Sequence, residues 1–332
     1  MNTNPLVSII ILNWNGSALL EECLDSVLKT EYKTIEIIVI DNGSKDNSLE
    51  MLKRYAKQIL IFSNKKNIGY TQGNLQGFKA AHGRFLVTLN NDMTVEPSWL
   101  EEPINLLLSD SSIGAVSCRQ MSYYQKDIVD SLYHYMLPDL TCQRAGFGKR
   151  LIDISNGLSP AFVLAANGGS AIYRREMIDE IGGLDPFFYA YWEELDLGMK
   201  AFLNGWKTIY APMALCYHKG SASFNKKKAK AQFYGERNRL IFLFKYFPIS
   251  IIAKQWLFLL KLEMGMAKLL LLSGMFHIFF LSRGAALFCF FKYIKIRRGN
   301  LLLFKKRIIE WEKLFHLQAF LKDDSALEPA VK

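Results

Sequence analysis

The chain has 332 residues, enough for one large domain or two, and half of them are hydrophobic with 13% aromatic, which excludes disorder over most of the length. Its net charge of +10 is uneven: residues 226–307 hold 18 Lys and Arg against two acids, Glu236 and Glu263, so that segment is +16 and the remainder −6. A basic segment that is also rich in Leu, Phe and Ile suits an anionic membrane surface and argues against nucleic acid, whose footprints are basic and polar.

The first apolar run, residues 6–12, has no basic stretch ahead of it, is too short for a secretory signal and passes straight into Asn-Trp-Asn, so a cytoplasmic location is expected. "LVSIIIL" predicts a buried strand, "NWNG" a loop, and "SALLEECLDSVLK" a helix with Leu19, Leu20, Cys23, Leu24, Val27 and Leu28 at helical spacing. The order repeats with "IEIIVI", the loop "DNGSKDN" and the helix "SLEMLKRYAKQ", then with "ILIFS", the loop "NKKNIGYTQG" and the helix "NLQGFKAA" closed by Gly83. "RFLVTL" is a fourth strand, ending on Asn90, Asn91 and Asp92. Strands apolar on both faces that alternate with helices predict an α/β fold, a mostly parallel sheet covered on both sides. Ligands bind such sheets beyond the carboxyl ends of the strands, where residues 13–16, 41–44 and 90–92 fall.

Pro97 suits the first turn of the next helix, and Pro103 inside "PSWLEEPINLLL" is expected to kink or restart it. "IGAVSC" predicts a strand, residues 119–159 loops, and "FVLAANGGSAIYRREMIDEIGG" a strand pair leading to a short helix closed by Gly182 or Gly183. After the aromatic loop "LDPFFYAY", "WEELDLGMKAFLNGW" predicts a helix with Glu193, Glu194 and Asp196 in its first turn, favourable against the helix dipole. "KTIYAP" and "ALCYHKG" predict two closing strands, and the globular part, residues 1–225, ends near Asn225. Residues 226–322 are expected to form a basic, apolar helical region at the membrane interface, and 323–332 a disordered tail. The longest charge-free run there, residues 269–282, is below the roughly 20 needed for a span, although only Arg283 interrupts 269–291. Amphipathic helices lying in the membrane interface are the preferred expectation, with a tilted span or helices docked on the domain as alternatives. The five cysteines lie far apart without a C-x-x-C pair and predict reduced core thiols.

No G-x-G-x-x-G follows the first strand, and no G-x-x-x-x-G-K-[ST] occurs. A nucleotide held at these strand ends would need its phosphates neutralised otherwise, and a divalent metal on a carboxylate is the usual means. The motifs "VSIIILNWNG", "VIDNGSKDNS", "NKKNIGYTQGNLQGF", "LNND", "NGGSAIYRRE", "YWEELDL" and "YHKGSASF" are each weak. Their order and spacing over residues 7–246 resemble the GT-A-fold glycosyltransferases of family two, especially the bacterial rhamnosyltransferase-like branch that builds cell-surface polysaccharides.

The resemblance implies a Rossmann-like GT-A sheet and an inverting, metal-dependent transfer of one sugar from a nucleoside-diphosphate sugar, dTDP-rhamnose or a UDP-hexose. The acceptor is a hydroxyl of a lipid-linked or oligosaccharide substrate. Asp41 is then the acid that bonds base or ribose, with Asn13, Trp14, Asn15, Asn42 and Ser44 around it. Asn67, Gly69, Tyr70 and Asn74 back the ribose and diphosphate. Asp and Asn-Gly residues also suit ordinary turns. Asn90-Asn91-Asp92 stands where the family has a D-x-D triplet, which makes Asp92 the carboxylate on Mg²⁺ or Mn²⁺. Asn90, in place of an acid, accepts from ribose or reaches the ion weakly, and Asn91 shapes the turn or lines the donor site.

His218 resembles the histidine that in some relatives completes the metal site or touches diphosphate, with Ser221 and Ser223 as weaker candidates. Glu193-Glu194 match the family's acidic pair, with Glu194 as the catalytic base. An attacking hydroxyl must lose its proton, and Phe187, Phe188, Tyr189 and Tyr191 offer a partly dry setting for that base. Gly168 and Gly169 would let backbone approach the sugar. The Q-x-x-R-W motif of processive relatives does not occur, so one sugar per encounter is expected. A non-catalytic binding protein of the same fold is the alternative that Asn90 invites. No nucleic-acid partner is expected, and the sequence sets no oligomeric state.

Overall fold

The computed structural model describes residues 4–137, 139–154, 157–220 and 228–311. Ser221, Ser223, the expected boundary near Asn225 and the expected tail lie outside them. The chain begins with β1 (Val7–Asn13), α1 (Ser17–Val27), β2 (Ile35–Asp41), α2 (Ser48–Leu52), β3 (Leu60–Ser63), α3 (Tyr70–Ala80) and β4 (Phe85–Asn90). Its four strands are parallel in the order β3-β2-β1-β4. They are apolar on both faces because both are covered. Ile9, Ile11, Val39 and Val87 meet Leu20 and Leu24 of α1, whereas Ile10, Ile38 and Leu86 meet Phe78 of α3. Each such side chain contributes about 1.5–3 kcal/mol relative to exposure.

The spacing predicts α3 from Asn74, but the helix starts at Tyr70, entered through Gly69 at φ 94°. Its first turn has no apolar stripe because close backbone approach, not side-chain bulk, packs this helix. A Cβ on Gly73 would stand 2.4 Å from Leu12 Cδ1, and one on Gly77 2.3 Å from Ile10 Cγ2. α2 is shorter than expected and gives way to a 3-10 turn at Lys53–Tyr55.

β4 leads into β5 (Met93–Val95), which the sequence does not announce, then α4 (Glu101–Ser109) and β6 (Ile113–Ser122). Pro97 does not open that helix. Pro103 instead sits in the first turn of α4, where a missing N–H is harmless, so no kink arises. Residues 119–159 hold more than loops: β7 (Val129–Ser131) pairs with β6, and β8 (His134–Met136) with β9 (Cys142–Arg144). β10 (Ala161–Val163) and β11 (Ser170–Arg174), expected to pair, are separated in the sheet, β11 running antiparallel between β4 and β6. α5 (Arg175–Ile181) is closed by Gly182 at φ 81°, and α6 (Glu193–Leu203) follows the aromatic loop. The two expected closing strands are one, β12 (Lys207–His218), which pairs with β10 and β6 and slips register between Ala211 and Leu215. Pro212, with no N–H for the ladder, lies in that slip. The outcome is a mixed 10-stranded sheet, parallel in its first half and flanked by helices.

α7 (Lys228–Tyr246), α8 (Ile249–Lys254), α9 (Trp256–Leu272) and α10 (Phe276–Lys306) follow. Phe242, Tyr246 and Phe247 bury against Met136, Leu164, Leu195 and Met199 of the sheet domain. Lys245, 2% exposed, pairs with Asp185 at 3.0 Å and with Asp196 of α6. Arg283 of α10 pairs with Glu236 of α7 at 2.7 Å and Glu263 of α9 at 2.6 Å. Trp256, Leu257, Met264, Leu281, Phe288 and Phe291 remain exposed on α9 and α10. Among the described residues, α10 is the helix long and apolar enough to cross a membrane by length and composition. The five cysteines are free thiols, four buried and Cys142 half-buried.

Candidate active site

The parallel register sets Asn13 opposite Asp41 and Leu12 opposite Asn90, so three polar tips leave the sheet at one edge. Buried Asn13 donates from Nδ2 to Asp41 Oδ1 at 3.1 Å and Ser44 Oγ at 3.2 Å, and accepts from Asn91 Nδ2 at 2.7 Å. Asp41 also accepts from the Ser44 N–H at 3.0 Å, and Asn15 accepts from the Lys45 N–H at 2.7 Å. These bonds build the loops themselves. Asn74 likewise turns inward, donating to Tyr70 O of its own helix at 3.0 Å.

Beyond the tips lies a pocket of about 210 Å³. Trp14, Asn42, Asn67, Gly69 and Tyr70 line one side, and Tyr189, Lys230 and Tyr234 the other. Asn42 Nδ2 donates to Asn67 Oδ1 and Gly69 O, each at 3.2 Å. The Tyr189 ring lies against Gly69, where a Cβ would stand 2.5 Å away, and stacks on Tyr234 with centroids 4.7 Å apart. Lys230 donates to Tyr189 Oη at 2.9 Å.

Tyr189, Tyr191 and Trp192 hold φ of 64°, 70° and 69°, left-handed backbone that costs about 1–3 kcal/mol per residue. Buried Asn238 of α7 restrains this loop, its Nδ2 donating to the carbonyls of Phe188 at 2.8 Å, Ala190 at 2.9 Å and Tyr191 at 2.8 Å. The loop delivers the chain into α6, whose first residues are Glu193 and Glu194.

Tyr70 and Tyr191 also border a second cavity of about 420 Å³, which Asp92, His218, Glu193 and Glu194 line. Asp92 Oδ2 lies 3.4 Å from His218 Nε2. A Cβ on Gly168 would stand 3.6 Å from the Glu194 carboxyl carbon, and one on Gly169 3.2 Å from Gln120 Nε2, so both glycines keep the cavity open. Residues 119–159 contribute Gln120, Asp130 and His134. His134 Nδ1 lies 3.6 Å from Glu194 Oε1. That nitrogen makes no hydrogen bond, and neither do Glu193 Oε2, Glu194 Oε2 and Gln120 Nε2. Orphaned buried polar atoms are costly, and their convergence on one cavity suits a hydroxylated ligand.

Burial pushes the Glu193 carboxyl well above its ordinary value, and the neighbouring Glu194 adds to this. Burial also lowers the His134 imidazole, which stays neutral. For His218, burial is opposed and outweighed by hydrogen bonds to Asp130 and Asp92, which carry it up to about 10. Two carboxylates converging on one imidazole leave negative charge that a proton balances here and a divalent cation can balance as well. Among the described residues, no group of three or more His, Cys, Asp or Glu side chains could hold an ion unaided. Asp92 and His218 therefore fit an ion that completes its shell with phosphate and water, as Mg²⁺ and Mn²⁺ do at diphosphates.

Of the expected residues, Trp14, Asn42, Asn67, Gly69 and Tyr70 gather in the first pocket. Asn90, Asp92, Gly168, Gly169, Glu193, Glu194 and His218 gather in the second. Asn13, Asn15, Asp41, Ser44, Asn74 and Asn91 lie beside these pockets in hydrogen bonds that hold the strand-end loops and the start of α3. Sequence reasoning missed Asp130, His134, Lys230 and Tyr234. The signal available for the first two was "VDSLYH", two titratable side chains in a stretch without apolar periodicity.

Residues 8–182 match the sequence profile of Glycosyl transferase family 2. An uncharacterized glycosyltransferase of Rickettsia typhi is 33% identical over 198 residues, 59% of this chain and 58% of that protein. The O-antigen biosynthesis protein RfbC of Myxococcus xanthus is 26% identical over 240 residues, 66% of this chain and 18% of that protein. The chain spans 37%, 58% and 59% of the length of three curated relatives it matches. Among solved structures, GalNAc-T7 with UDP, GalNAc and Mn²⁺ has a TM-score of 0.59 at 19% identity, covering 74% of this chain and 49% of that one, a likeness of fold.

Proposed function

Because the chain belongs to Glycosyl transferase family 2 and has its GT-A fold, we propose that it is an inverting transferase adding one sugar from a nucleoside-diphosphate sugar to a lipid-linked glycan in cell-surface polysaccharide synthesis. The observation that carries this reading is the convergence of Asp92, His218 and Glu194 on one cavity beside the aromatic pocket of Trp14 and Tyr189. The nucleoside occupies the smaller pocket against Asn42, Asn67 and Tyr70, and its diphosphate reaches toward Asp92 and His218. A divalent ion held there, Mg²⁺ or Mn²⁺, supplies charge neutralisation for the departing diphosphate. Asn90 accepts a hydrogen bond without adding charge. Glu194 takes the proton of the acceptor hydroxyl as that oxygen attacks the anomeric carbon from the face opposite the diphosphate.

The donor proposed is dTDP-rhamnose or a UDP-hexose, the first following from the rhamnosyltransferase-like motifs. The GalNAc-T7 structure, of the same fold, holds UDP and Mn²⁺. The name of the Myxococcus relative supports a role in polysaccharide assembly.

The division proposed is a transferase part at 1–225 and a membrane-facing part at 226–322, on the inner face of the cell membrane. The exposed aromatic and aliphatic side chains of α9 and α10, set in a basic segment, support it. Arg283, paired with both Glu236 and Glu263, holds α10 against its neighbours and favours helices lying in the interface over a span.

Release of nucleoside diphosphate from dTDP-rhamnose, UDP-glucose, UDP-galactose, UDP-N-acetylglucosamine and GDP-mannose, each with Mg²⁺, Mn²⁺ or EDTA, tests the reading. Turnover of one donor that EDTA abolishes is expected. No release from any donor with either metal would favour a binding protein that kept the fold.

A further inference from the structure

We propose that Asp130 is a positioning residue for the metal site, its carboxylate fixing the ring orientation and tautomer of His218 so that Nε2 is presented beside Asp92. The inference rests on the reading of Asp92 and His218 as ligands of the ion.

The sheet brings the two residues together across β6. On one side β7 pairs with it at Val129 and Met121, and on the other β12 pairs with it at His218 and Ser122. Asp130 Oδ2 lies 3.0 Å from His218 Nδ1, and its other oxygen, Oδ1, lies 3.3 Å from Arg144 Nη1 of β9. With both oxygens engaged, and only 17% of its side chain exposed, the Asp130 carboxylate is held in place against the imidazole. The two nitrogens of an imidazole point away from one another. Asp130, at Nδ1, therefore cannot share an ion with the Asp92–His218 pair, whose contact is at Nε2, 3.4 Å from Asp92.

An ionised carboxylate only accepts hydrogen bonds, so the atom facing Asp130 must be Nδ1–H. When an ion takes the place of the proton that faces Asp92, the lone pair is at Nε2, the atom a metal needs. A carboxylate behind a ligating histidine fixes the tautomer and strengthens the ligand, and its loss typically costs 10–100-fold in metal affinity. Asp130 thus gives residues 119–159 a role that apolar spacing did not disclose.

The test is Mn²⁺ affinity, read by electron paramagnetic resonance of the free ion at fixed UDP and, separately, dTDP. Asp130→Ala is expected to weaken Mn²⁺ binding about 10–100-fold. Asp130→Asn, whose amide oxygen still accepts from Nδ1–H, is expected to recover most of that loss. In the wild-type chain with UDP and Mg²⁺, imidazole ¹⁵N shifts are expected to place the His218 proton on Nδ1.

Wild-type Mn²⁺ affinity in a folded Asp130→Ala, or a His218 proton on Nε2, would overturn the inference. If Asp130→Ala does not fold, the ¹⁵N measurement decides alone. Absence of Mn²⁺ binding by the wild-type chain, or wild-type affinity in His218→Ala, would overturn the metal reading itself and this inference with it. That result differs from retained affinity in Asp130→Ala alone, which removes only the role of Asp130.

Discussion

The side-chain amide of Asn238, buried on α7, donates to the carbonyl oxygen of Tyr191 at 2.8 Å, two residues before the start of α6. A residue of the C-terminal helices thereby fixes the strained loop that aims Glu193 and Glu194. Basic, apolar helices that look like a separate membrane-facing region reach the proposed active site through this contact.

Replacing Asn238 by Ala leaves the carbonyls of Phe188, Ala190 and Tyr191 without their shared donor. The loss expected is about 1–3 kcal/mol, the cost of orphaning buried polar groups. Urea unfolding reads that loss. Steady-state kinetics on the preferred donor should show kcat falling and KM rising together, because the same loop carries Tyr189 of the donor pocket and leads into Glu194.

Glu193 gives a pH signature. Its carboxyl is raised by burial and by Glu194, so over the pH range above the ordinary carboxyl value the folded state binds more protons than the unfolded state. Stability then falls as pH rises through that range. Glu193→Gln carries no such charge and should melt higher than wild type at pH 8, with the difference vanishing near pH 4. Thermal melts at the two values check this. A difference larger at pH 4 would reverse the assignment of the proton.

Phe288 and Phe291 of α10 are 82% and 78% exposed. Changing both to Asp should lower sedimentation with anionic liposomes at least tenfold, since each aromatic ring lost from an apolar phase forfeits about 1.5–3 kcal/mol. Donor hydrolysis in solution should be unchanged. Equal sedimentation of the double variant would remove the membrane assignment of this face.

Much of the fold was legible because β1, β2 and β4 are buried on both faces and end abruptly in Asn13, Asp41 and Asn90, a contrast any strand–helix alternation exposes. The start of α3 was not, because Gly73 and Gly77 pack by their lack of side chain. The separation of β10 from β11 was hidden since sheet order is set by long-range pairing. Among site residues, Asp92, Glu194 and His218 stood out as polar letters at element ends. Asp130 and His134 sit on short strands with no apolar rhythm, and Lys230 and Tyr234 were submerged in the charge of a segment that reads as a lipid surface.

The central claim, sugar transfer with Glu194 as base in the cavity of Asp92 and His218, is tested most directly by Glu194→Gln. Transfer of radiolabelled sugar from the preferred donor to lipid-linked acceptor in isolated membranes should fall about 10²–10⁴-fold, the usual contribution of a positioned base. Donor affinity, measured by calorimetry, should stay at the wild-type value. Transfer by Glu194→Gln at the wild-type rate would contradict the account.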